Sequence, residues 1–212
     1  MKAGRCLGLM LLSAALVLTP RSAAQTPWQA YSFHDGAFVA RPIPFVPPLP
    51  PSPACAAPSP DPWQITDCVL ADVTGDGAPE WVLIVWRPWQ DWPIQRWVPV
   101  PSPIVGLHDA DGDSCHLILL DPRDGREIWA GSALPVPILA LAVGDVDGDG
   151  RNEVVILEGD YAAGRNGLAS HVDVWRWNGF GFIMAWRSPE GLFSALRLTD
   201  VDGDGILDVT AR

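Results

Sequence analysis

Asp145-Val146-Asp147-Gly148-Asp149-Gly150-Arg151-Asn152-Glu153 decides how the rest of this chain is read. Four carboxylates and two glycines within nine residues make a tight acidic turn, since glycine takes backbone angles that other residues resist. The apolar run Ile138 to Val143 leads into it and Val154 to Leu157 leads out. Their branched side chains favour strand over helix. The pattern recurs as Asp72-Val-Thr74-Gly-Asp76-Gly-Ala78-Pro-Glu80, flanked by Cys68 to Ala71 and Trp81 to Trp86. It recurs again as Asp200-Val-Asp202-Gly-Asp204-Gly-Ile206-Leu-Asp208, flanked by Leu192 to Leu198 and Ile206 to Val209. A repeat of this kind fixes architecture before any other feature does.

Between the loops lies a second repeated signal. Asp35-Gly36, Asp124-Gly125 and Asn178-Gly179 each separate two short apolar-rich runs, which predicts β-hairpins with primed turns. The runs are Tyr31 to Phe33 with Ala37 to Ala40, Leu117 to Leu120 with Glu127 to Ala130, and Val172 to Trp177 with Phe180 to Trp186. Combining the two signals gives a four-stranded unit: strand, acidic loop, strand, strand, tight turn, strand. Two units are complete, about Asp67 to Ser132 and about Pro137 to Ser188. An N-terminal hairpin in residues 25–41 and a loop with two strands at the other end are left over, and together they would complete a third unit. The expected fold is all-β, a propeller-like array of about three four-stranded antiparallel blades. Three blades are fewer than the four to eight of a closed propeller, so an incomplete ring, blades supplied by a partner copy and a short open stack all stay open.

The loops have the chemistry of a calcium site. In D-x-D-G-D-G-x-x-D the side chains at positions one, three, five and nine can converge, and position seven offers a backbone carbonyl. Four side chains, one carbonyl and water meet calcium's demand for roughly six to eight oxygens. Without a cation, two such charges about 5 Å apart repel by on the order of 3 kcal/mol at an effective dielectric near 20. The expected ligands are Asp72, Thr74, Asp76, Ala78 and Glu80 in the first loop, and Asp145, Asp147, Asp149, Arg151 and Glu153 in the second. In the third they are Asp200, Asp202, Asp204, Ile206 and Asp208. Ala78, Arg151 and Ile206 would contribute carbonyls only. An EF-hand would need a bidentate Glu at position twelve, where this chain has Leu83, Ile156 and Ala211, and would need helices where strands are expected.

With their β flanks, these loops resemble FG-GAP repeats, also called VCBS repeats, of the propeller in integrin alpha subunits and of many secreted bacterial proteins. The resemblance covers the chain from about Asp67 onward. It implies that calcium stiffens the blades while other loops meet ligands. Thr74 departs from the pattern by replacing an acid, so the first site is expected to be the weakest. Gly-Ala-Pro occurs once, at Gly77-Ala78-Pro79, and Phe-Gly once, at Phe180-Gly181, so the signatures behind the family name are not repeated from unit to unit. A fourth cluster, Asp109-Ala-Asp111-Gly-Asp113, has no acid at position nine, where Leu117 stands, and reads as an exposed strand connection.

Composition narrows the function further. Lys2 and Arg5 followed by the apolar run Leu7 to Leu18 and by Ser22, Ala23 and Ala24 read as a cleavable export signal in residues 1–24. No later stretch is apolar enough to cross a membrane as a helix. The formal net charge is −11, and loss of that leader would make it more negative, which argues against nucleic acid and anionic membranes as partners. A secreted, extracellular, periplasmic or cell-surface location follows, in which Cys55, Cys68 and Cys115 can form one disulfide and leave one thiol, Cys55 being the expected partner and its choice between the other two open.

Residues 42–62 hold ten of the 22 prolines and read as an extended linker or a strap, with the repeat domain in residues 63–212. A long loop from Arg87 to Val105 carries Trp89, Trp92 and Trp97, candidate stacking residues for a polysaccharide or an extracellular protein. Trp81, Trp86, Trp129, Trp175 and Trp186 are expected instead to fill the space between sheets. No nucleophile elbow, zinc-protease motif or phosphate loop is present, and the three loops hold eleven of the 25 acids. The reading is therefore of a non-enzymatic, calcium-binding recognition or adhesion module. A repeat region of a larger secreted lyase or phospholipase, and a self-associating blade stack, are its rivals.

Overall fold

In the computed structural model, residues 27–44, 46, 55–89 and 106–212 are described here. The expected leader and the residues Trp92 and Trp97 lie outside them. The described chain is all-β, with twelve strands and one 3₁₀ turn at Tyr161–Ala163.

The strands form three four-stranded antiparallel sheets. The first contains β3 (Gln64–Ala71), β4 (Glu80–Pro88), β5 (Asp113–Leu120) and β6 (Glu127–Ala130), in that order. The second contains β7 (Ile138–Gly144), β8 (Glu153–Glu158), β9 (His171–Trp177) and β10 (Phe182–Arg187), again in chain order. The third draws on both ends of the sequence. Its order is β11 (Leu196–Thr199), β12 (Asp208–Ala211), β1 (Trp28–His34) and β2 (Ala37–Ile43). The left-over hairpin and the left-over strands do meet, with Gln29 opposite Ala211 and Tyr31 opposite Val209.

Each acidic loop joins the first two strands of a sheet, as the repeat requires. The first strands also face one another, because β7 lies against β3 on one side and β11 on the other. Burial follows from this stacking. β8 is buried along its whole length: Val154 and Ile156 face the first sheet with Ile84, Trp86 and Leu117, while Val155 and Leu157 face Tyr31, Val209 and Ala211 of the third. A strand covered on both faces needs a continuous apolar run rather than alternation, and Val154 to Leu157 supplies it. Each aliphatic side chain so buried contributes about 1.5–3 kcal/mol.

The far face of the first sheet, carrying Leu83, Val85, Ile118 and Leu120, packs against Ala57 of the proline-rich segment and Trp63 just after it. A disulfide from Cys55 to Cys68 anchors that segment on β3, and Cys115 is left as a buried free thiol. The segment is thus a strap in its described part, not a spacer. Of the strand tryptophans, Trp86, Trp129 and Trp175 pack between the first two sheets and Trp186 between the second and third, whereas Trp81 lies under the strap.

Only one of the three predicted turns is primed. Asp35 and Gly36 both take positive φ (50° and 83°) between paired His34 and Ala37, as a two-residue type I′ turn demands. Near Asp124-Gly125 the pairing resumes only at Leu120 with Glu127, and near Asn178-Gly179 at Trp177 with Phe182. There the Asn or Asp keeps ordinary φ and glycine alone is left-handed. Asn178 Oδ1 instead accepts from the backbone N–H groups of Phe180 and Gly181, closing a four-residue loop.

Candidate metal centres

The three acidic loops share one set of hydrogen bonds to their first, fifth and ninth positions. In each, the first aspartate accepts from two glycine N–H groups: Gly75 and Gly77 onto Asp72 (2.7 and 2.8 Å), Gly148 and Gly150 onto Asp145 (2.7 and 2.9 Å), and Gly203 and Gly205 onto Asp200 (2.6 and 3.0 Å). All six glycines have φ between 75° and 90°, which side chains with a Cβ resist. The fifth-position acid accepts from the N–H of position seven: Ala78 onto Asp76, Arg151 onto Asp149, and Ile206 onto Asp204. The ninth-position acid reaches back to the N–H of position two, from Val73 to Glu80 (2.9 Å), Val146 to Glu153 (3.1 Å) and Val201 to Asp208 (2.7 Å).

These bonds turn the carboxylates inward. Carboxylate oxygens of Asp72, Asp76 and Glu80 lie within 4.8 Å of one another, as do those of Asp145, Asp147 and Glu153, and those of Asp200, Asp202 and Asp208. Asp149 and Asp204 stand outside the converging trios. Thr74 occupies the third position of the first loop and donates its hydroxyl to Glu80 Oε1 at 3.1 Å. The donor set is all hard oxygen, the chemistry of calcium or magnesium rather than of zinc or copper. Glu80, Glu153 and Asp208 are the buried acids of their loops. Burial, reinforced by the charges of Asp149 and Asp145, pushes the Glu153 carboxyl up to about 7.

The loops also touch in series. Asn152 of the second donates to the backbone carbonyl of Asp72 in the first at 2.8 Å. Ile206 of the third sits against Gly148 of the second, where an added Cβ would come within 2.8 Å of its side chain. The three loops therefore lie side by side along one end of the array.

The fourth acidic cluster is not the exposed connection its sequence suggests. Asp109 and Asp113 are buried, and Arg165 from the second sheet's unit fills the space between them. Its Nε donates to Asp109 Oδ2 (2.9 Å), Nη2 to Asp113 Oδ2 (2.7 Å) and Nη1 to Gln64 Oε1 (2.7 Å), while the guanidinium lies 4.4 Å from the Trp86 ring. Burial alone would raise the Asp109 carboxyl. The Asp113 N–H and Arg165 outweigh it and hold the group below the usual range. A protein cation thus does in this cluster what a metal would do elsewhere, which sequence spacing could not reveal because Arg165 is remote in the chain.

Trp89 is half-buried and its N–H donates to the Gly112 carbonyl. Ser114 and His116 are in contact (3.1 Å), but both are buried in β5, and His116 also faces the Gly131 carbonyl at 3.0 Å. No helix among the described residues is long and apolar enough to cross a membrane. Comparison with protein-family profiles, with curated proteins and with solved structures finds no match to this chain.

Proposed function

We propose that this chain is a calcium-stabilised, propeller-type recognition module of the FG-GAP/VCBS kind that acts outside the cell. One observation carries the reading. Three loops separated by about sixty residues each converge three carboxylates through the same set of backbone hydrogen bonds. Convergence of like charges is unfavourable unless a cation offsets it, and hard oxygen donors on a glycine-shaped turn suit calcium. Bound ions would lock β3 to β4, β7 to β8 and β11 to β12 at one end.

The packing of β7 between β3 and β11 supports a propeller-type arrangement, with the first strand of each blade innermost. Recognition is assigned to the segment between β4 and β5, with Trp89, Trp92 and Trp97 stacking on a polysaccharide or protein ligand. The acidic charge and the Cys55–Cys68 disulfide support a location outside the reducing cytoplasm. No catalytic role is assigned.

Calorimetric titration of the folded protein with calcium tests the proposal. Uptake of three ions and a rise in melting temperature are expected, each site contributing about 2.7 kcal/mol at a hundredfold excess over its dissociation constant. An unchanged melting curve in excess chelator would remove the basis of the reading.

A further inference from the structure

Loops of one geometry have unlike neighbours. Pairing of Val154 with Trp175 places Glu153 opposite Arg176 one step further along β8 and β9. The same step places Asp121 opposite Glu80, and Ser32 opposite Asp208. Residues directly opposite in an antiparallel pair share a face, so each ninth-position acid has the third-strand residue beside it. In the first sheet that neighbour is a carboxylate already held by Arg123 at 2.6 Å, and in the third it is a neutral hydroxyl, with Arg41 and His34 approaching Asp202 instead (3.3 and 3.4 Å). In the second it is a cation.

Arg176 engages three of that loop's four acids. It donates an Nη–H to Asp147 Oδ2 and Nε–H to Glu153 Oε1 (3.3 Å), and the same Nη lies 4.0 Å from Asp149 Oδ2. Asp147 Oδ1 meanwhile accepts from the Asp149 N–H, so both oxygens of the third-position acid already have protein partners. Arg165 shows the limiting form of this chemistry, with a guanidinium seated between two buried aspartates.

We infer that Arg176 is a resident counter-cation of the second loop, from which calcium must displace it. The inference rests on the calcium reading above. The four acids that the second loop shares in number with the third then do not make it the tightest site, and its occupancy is set by competition between a divalent ion and a tethered monovalent one. Charge count in the sequence places the second loop level with the third and above the first.

The test is calcium titration of the second loop in a chain whose first and third loops carry Asp72→Asn and Asp200→Asn, with Arg176 native, Arg176→Gln or Arg176→Lys. The Arg176 side chain is 37% exposed, so its replacement leaves the core intact. Parallel titrations in the otherwise native chain guard against misfolding of that background. Arg176→Gln is expected to tighten the second site roughly tenfold, and Arg176→Lys to leave it near the native value because the charge remains. A glutamine variant that binds equally or more weakly overturns the inference, since the guanidinium would then be orienting the ligands. Absence of calcium uptake by the native chain sinks the calcium reading and this inference together, an outcome distinct from the first.

Discussion

Asp67 and Arg165 both tie one sheet to the next, the first with a carboxylate and the second with a guanidinium. Asp67 Oδ2 accepts from the Leu141 N–H of β7 at 3.0 Å, and burial raises its carboxyl above the ordinary value of 3.8 despite that bond. In the window just above 3.8 the folded chain holds more protons than the unfolded one, so this group's contribution falls as pH rises through that window. Asp67→Asn lacks the titration. Denaturant midpoints at pH 4 and pH 7 should therefore show the native chain losing stability relative to the variant, and parallel midpoints would refute the assignment. Arg165→Met leaves Asp109 and Asp113 buried without a cation, and a loss of about 3 kcal/mol in urea denaturation is expected. The acidic loops were legible in sequence because their ligands lie within nine residues and their glycines are local. Arg165 and Arg176 were not, since they reach Asp113 and Asp147 from 52 and 29 residues away and nothing in local spacing marks the approach.

Strands and turns separate in the same way. The apolar runs located every strand to within a few residues, because β8 and β5 are covered on both faces and so is the middle of β1. β11 starts only at Leu196, not Leu192, since Phe193 turns aside to bridge Ala169. Turn type was less legible. A Gly following Asp or Asn fixes a left-handed position, but the number of residues left unpaired depends on cross-strand register, which the dipeptide does not encode. At the one primed turn, Gly36→Ala forces an L side chain to φ 83° and should cost about 1 kcal/mol, measurable as a lowered melting temperature. The prolines marked this segment as a linker or a strap, while its docking over Trp81 depends on a disulfide whose pairing the sequence left open. Closing a loop of thirteen residues, the Cys55–Cys68 bond should contribute about 3 kcal/mol, read as the difference between oxidised protein and a double serine variant.

At the scale of the molecule the three sheets are unequal. The first and second are each built from contiguous sequence, whereas the third pairs residue 29 with residue 211. Deleting residues 27–44 would strip β1 and β2 from β12 and leave the backbone edge of buried Val209 and Ala211 unpaired. That variant should dimerise or aggregate in size-exclusion chromatography with light scattering, and a well-behaved monomer would show that β12 needs no partner. Pairs so distant in the chain form slowly, because the search must close before any contact rewards it. A polypeptide still being synthesised thus carries the β1–β2 hairpin as half of a clasp, and whatever grips β1 before β12 arrives keeps the molecule from shutting.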